Sequence, residues 1–215
     1  MTYEELIAKV ALIIQDGSFT DSNIGGYINQ AQHEIAGGMQ STLGDWITPP
    51  LPQLFTIDTV TTVTDAAYVS MPVTFHRSLQ FAAAAGGYEI DIAPSFLSFS
   101  ETYPLLDQSG RISEVIEFGG NLYYQGIPTT AEDVTLHFYR LPVDMEDDDD
   151  TPDGIPLHLQ SSLLVNHAAW KIFDLIEDDF SEPGINTQRY QASFYTALKM
   201  LELTIPYENR RMNLI

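Results

Sequence analysis

The hydrophobic period of this chain changes twice, and that switch limits the folds open to it. Near the N-terminus, Leu6, Ile7, Val10, Ile13 and Ile14 repeat at helical spacing behind a Thr2/Glu5 capping box, and the pattern stops at Gly17. A Ser18–Ser22 cluster then caps a second stripe, Ile24, Tyr27, Ile28, Ala31 and Ile35, which ends at Gly37-Gly38. From Leu51 the period falls to two. Leu54–Ile57, Val60–Thr64, Ala67–Met71 and Val134–Tyr139 are β-branched or aromatic runs, and Val115–Phe118 and Asn121–Tyr124 flank a Gly119-Gly120 turn. Beyond Pro156 the helical period returns, first over Leu157–Phe173 and then in Tyr190, Phe194, Ala197, Leu198 and Leu201.

These periods predict an α+β protein: one helical bundle made of N-terminal and C-terminal helix pairs, with an inserted antiparallel β domain. The expected boundaries are 1–50 for the N-terminal helical hairpin, 51–142 for the β domain, 143–155 for an acidic linker, 156–205 for the C-terminal helix pair and 206–215 for a tail. The linker, with its Glu146–Asp150 run, is expected not to pack. The stretch around Asp91–Arg111 reads as a long loop.

Charge narrows the function. Nine Lys and Arg stand against thirty Asp and Glu, a formal net charge of −21. So few cations leave no broad basic face for nucleic-acid phosphates or for an anionic membrane surface. With no cysteine there is no disulfide framework, thiolate metal site or cysteine nucleophile. The acidic opening Thr2-Tyr3-Glu4-Glu5 is unlike a signal peptide, and the chain reads as a soluble protein made in the cytoplasm.

Motifs for catalysis do not assemble. Asp149, Thr151, Asp153 and Gly154 match the early positions of a calcium loop, but Gln160 stands where the bidentate Glu belongs, so a solvated acidic connector is the better reading. His33, His76, His137, His158 and His167 have no metal-ligand spacing. Glu114/Glu117 and Glu89/Asp91 are formal candidates for a glycosidase pair, yet thirty acids supply such pairs by chance. Catalytic, cofactor and metal residues are therefore expected to be none.

Two segments carry contact chemistry. Tyr88, Phe96, Phe99, Tyr103, Phe118, Tyr123 and Tyr124 could line a binding face, and Phe96–Tyr103 is apolar for a loop, which marks Phe96, Phe99 and Tyr103 as candidate contacts. At the C-terminus Arg210, Arg211, Met212, Leu214 and Ile215 have the composition of a docking peptide.

In order and pattern the chain resembles the head-to-tail adaptor (connector, or head-completion) proteins of tailed bacteriophages. The Tyr3–Val10 and Ile24–Ile35 helices resemble that family's opening, Tyr68–Phe75 its "Y-x-L-P-x-D-F" strand end, Leu136–Pro142 its strand before the last helices, and Leu157–Asp179 with Arg189–Leu203 its terminal helix pair. Thr74 stands where that strand pattern has an acid. The resemblance implies a structural role in the virion neck, as a homo-oligomeric ring of about twelve subunits between a portal protein and a tail or nozzle protein, with DNA passing through unread. It also implies that the C-terminal tail, with Arg210, Arg211, Met212, Leu214 and Ile215, docks on the portal; Phe96, Phe99 and Tyr103 lie in a stretch outside the resemblance and are candidate tail-side or subunit contacts from their composition. Two other readings stay open here: a carbohydrate-binding β module using Tyr123, Tyr124 and Phe118, and a glycoside hydrolase.

Overall fold

The computed structural model describes residues 1–39, 50–177 and 184–205. The chain divides into two compact units, Met1–Leu54 with Leu141–Ile215, and Phe55–Arg140.

In the first unit, α1 (Tyr3–Ile14) and α2 (Asp21–Gly37) each begin on a threonine capping box, Thr2 with Glu5 and Thr20 with Asn23. They pack as a pair with α4 (Asn166–Ile176) and α5 (Ile185–Thr204), burying Leu6, Val10, Ile24, Ile28, Leu164, Ile172, Phe194 and Leu198. A wide helical turn over Ser161–Val165 leads into α4. Gly25 is what lets α1 approach α2 so closely, because a Cβ there would collide with the Tyr3 hydroxyl.

The segment expected to be an unpacked linker is instead a strap across α1 and α2. Met145 and Ile155 are buried, Asn29 brackets the Met145 backbone through both its amide atoms (3.0 and 3.1 Å), and the carbonyls of Asp148 and Asp150 accept from Glu4 and Tyr3 at the first turn of α1. The side chains of Asp144 and Glu146–Asp149 stay exposed, as do those of Val143 and Thr151. The backbone of an acidic run can still serve as acceptor for orphan helix N–H groups, which composition does not reveal.

The second unit is a seven-stranded sheet in the order β1-β7-β3-β4-β5-β6-β2, comprising β1 (Phe55–Thr61), β2 (Tyr68–Ser70), β3 (Phe75–Ala84), β4 (Glu89–Ile92), β5 (Glu114–Phe118), β6 (Asn121–Gln125) and β7 (Asp133–Arg140). Its inner face buries Ala82, Val115, Leu122, Tyr124, Leu136 and Phe138. Gly119 and Gly120, with φ of 61° and 78°, close the β5–β6 hairpin as read from sequence.

The expected helical bundle with an inserted antiparallel domain is corrected. Five α-helices are present among the described residues, not two pairs, and the sheet is mixed and curled into a half-barrel. The reason lies in the stretch read as a loop. Ser95 caps a short helix, α3 (Phe96–Thr102), which forms the crossover between β4 and β5, and those two strands run parallel. A parallel pair requires such a crossover, whereas a hairpin would have made it antiparallel.

Candidate functional site

The outer face of β5, β6 and β2 carries a run of aromatic rings, two of them about half exposed. Register dictates it: Ile116 pairs with Tyr123, which pairs with Tyr68, while Phe118 pairs with Asn121, which pairs with Ser70. Side chains two apart share a face, so Ile116, Phe118, Tyr123 and Tyr68 all point outward. Helix α3 lies on part of this face. It covers Ile116 with Phe99 and leaves the rest open.

From α3 to the sheet edge the rings run in sequence. Phe96 stacks on Phe118 at 4.2 Å and 15°, meets Tyr123 edge-on at 5.3 Å, and Tyr123 in turn lies 5.5 Å from Tyr68. Phe118 and Tyr68 are each 52% exposed. Of the three contact residues read from sequence, Phe99 is 1% exposed and forms the base of α3, Tyr103 packs edge-on against it at 5.3 Å, and Phe96 alone joins the ring platform. Burial, followed by a hydrogen bond to Glu114, raises the Tyr103 phenol above its ordinary pKa. Tyr68 was absent from the aromatic set read from sequence. Its signal lay in strand parity with Tyr123, which appears only once β2 is paired to β6.

The other named residues take different places. Tyr124 is fully buried on the opposite face of β6, its hydroxyl donating to the Tyr68 carbonyl and accepting from the Val63 N–H at 3.3 Å each, so Tyr123, Tyr124 and Phe118 cannot form one sugar platform. Tyr88 lies beneath the Arg111 guanidinium, 3.0 Å from its ring centroid. Glu114 and Glu117 stand three apart on one strand and therefore on opposite faces, which removes them as a carboxylate pair across one substrate. Asp153 accepts from the Val143 N–H at 3.1 Å and Asp150 from the Glu146 and Asp147 N–H groups, so these acids hold the strap together. Among the described residues no cluster of three His, Asp or Glu could hold a metal.

Two histidines clamp α2 through consecutive positions. His33 Nε2 lies 2.6 Å from Asp144 of the strap, and Glu34 Oε2 lies 2.8 Å from Nε2 of His167, which is fully buried on α4 between the Trp170 and Phe194 rings. The hydrogen bond from His167 holds the Glu34 carboxyl down to about 2, against the opposing effect of burial. A buried histidine paired with a carboxylate and ringed by aromatics is an interior fastening. Arg210, Arg211, Met212, Leu214 and Ile215 lie outside the described residues.

A helical unit and a curled mixed sheet with exposed rings at Phe118 and Tyr68, in a chain of formal net charge −21, are what the described residues build. The chain belongs to the SU10 adaptor protein family, whose model matches residues 1–213, and this is a family of phage head-to-tail adaptors. No curated protein matches the chain.

Proposed function

We propose that this protein is a structural subunit of the virion neck that assembles as a homo-oligomeric ring, about twelve copies, between the portal protein and a tail or nozzle protein, around the path of the DNA. The match of the family over essentially the whole chain carries this reading. The −21 formal charge supports it, because an acidic wall repels DNA phosphates and lets a genome slide past without adhesion. In this role the segment 206–215, with Arg210, Arg211, Met212, Leu214 and Ile215, docks on the portal, and the face around Phe96 and Tyr103, seated on Phe99, meets the tail side or the neighbouring subunit. The role is mechanical and requires no catalysis or cofactor.

The deciding experiment is native mass spectrometry of the full chain mixed with its portal, against a variant lacking 207–215. A ring-sized complex containing portal, lost on the deletion, is the expected result. A complex unaffected by the deletion would remove the tail from the docking surface, and failure of the full chain to associate with portal at any ratio would remove the adaptor role.

A further inference from the structure

We infer that the ring platform formed by Phe118, Phe96, Tyr123 and Tyr68 binds an arginine-bearing segment of a different protein, by stacking guanidinium groups on Phe118 and Tyr68. This names the partner chemistry for the aromatic face of the proposed adaptor.

Four observations point to that occupant. First, the platform's own rows hold no charge: Phe118, Asn121 and Ser70 in one, Ile116, Tyr123 and Tyr68 in the other. An aromatic face without an internal cation is open to one from outside. Second, the unit that bears it, Phe55–Arg140, has ten acids and three bases, so its field draws in positive charge. Third, those bases are already engaged. Arg111 stacks on Tyr88, while Arg77 and Arg140 also have partners. The Arg111–Tyr88 pair shows the same stacking chemistry operating once inside this unit. Fourth, the rings are prearranged. Phe96 stacks on Phe118 at 15° and restrains its ring, which remains 52% exposed, so less side-chain freedom is lost when a ligand binds.

A second copy is the poorer occupant. Whether packed two-fold or around a ring, a second copy would bring a chain of formal net charge −21 against this acidic unit, which carries Glu114 on the same face of β5 as Ile116 and Phe118. Arginine suits the site better than lysine, since its planar, weakly hydrated guanidinium stacks on rings.

The test uses the full chain and a synthetic twelve-residue peptide built from Gly-Arg-Leu repeats, with the same peptide carrying neutral citrulline for arginine, followed by aromatic-ring NMR shifts. Saturable shifts at Phe118 and Tyr68 are expected, with affinity at least ten-fold lower for the citrulline peptide, for Phe118→Ala and for Tyr68→Ala. Phe55→Ala, at the far edge of the sheet, should change affinity less than two-fold, and Phe118→Leu, which keeps bulk but removes the ring, should behave as the alanine variant does. Equal binding of the citrulline peptide overturns the inference, as does binding indifferent to Phe118. A concentration-dependent dimer abolished by Phe118→Ala would make a second copy the occupant, and saturable oligosaccharide binding at the same rings would make a glycan the occupant; either overturns it. None of these readings involves the portal, so failure here is separable from failure of the adaptor role.

Discussion

His167 Nε2 and Glu34 Oε2 lie 2.8 Å apart and join α4 to α2 through a hydrogen bond that is fully buried on the histidine side. Gln30 Nε2 donates to the other Glu34 oxygen at 2.6 Å, and Lys171 adds a favourable charge. The carboxylate is thus held by neighbours on its own helix and on α4.

This pair makes stability acid-sensitive. The Glu34 carboxyl is depressed from 4.5 to about 2, so its contribution is complete above about 4.5 and is lost as the pH falls toward 2. Glu34→Gln should lower stability by about 1–3 kcal/mol at neutral pH, since it weakens a hydrogen bond to a buried imidazole. Urea midpoints measured from pH 6 to pH 2 should then fall more steeply for the wild type than for the variant. Parallel curves would show that Glu34 does not contribute through its charge.

Gly25 faces the Tyr3 ring, and a methyl group there would overlap the hydroxyl and the carbon that bears it. Gly25→Ala should cost about 1–3 kcal/mol through overpacking, despite the better helix propensity of alanine. Combining it with Tyr3→Ala should recover part of that loss in a double-mutant cycle. Strict additivity in thermal denaturation would mean the two residues do not meet.

At the start of α5 the N-cap is Gly184, which has no side chain to offer, and Glu177 takes over. Its carboxylate accepts from the Thr187 N–H at 3.0 Å, the Thr187 hydroxyl at 2.8 Å and the Asn186 amide at 2.9 Å. Burial pushes this carboxyl up, but those donors outweigh it and leave it below its ordinary value. Glu177→Ala should lower stability by about 0.5–2 kcal/mol, in the range of a lost helix cap. Circular dichroism across a thermal melt checks it, and an unchanged midpoint would deny Glu177 the capping role.

The strap depends on two amide side chains of α2. Gln32 is fully buried, donates to the Val143 carbonyl and accepts from the Asp153 N–H, both at 2.7 Å. Gln32→Ala strands both backbone groups and should cost about 1–3 kcal/mol. Amide exchange at Asp153 and Met145 should accelerate before exchange in the core of α4 does. Uniform acceleration across the unit would show that the strap is not a separate opening segment.

Much of this was legible in the residues themselves. Thr2 and Glu5 announced α1 because a capping box needs only four residues, and Gly119-Gly120 announced the β5–β6 turn because only glycine takes two successive positive φ angles easily. Helix α3 and strand β3 were not legible. Phe75–Ala84 has no β-branched residue and a break at Ser78, whose φ is 59°, and it becomes a strand by pairing on one side with β7 and on the other with β4.

The exposed aromatic face shows the division most clearly. That this chain has aromatics near a glycine turn, an acidic surface and two helical ends was determined by the sequence alone, since caps, turns and charge are local properties. Which rings are buried and which are open was decided by strand register, by the placement of α3 over Ile116 and by the pairing of Tyr68 with Tyr123. The same holds for the strap, where Asn29 meets Met145 across 116 residues, and for Glu34 and His167, separated by 133. Contacts at such separations leave no periodic trace in the chain, because the partner that satisfies each group is supplied by folding itself.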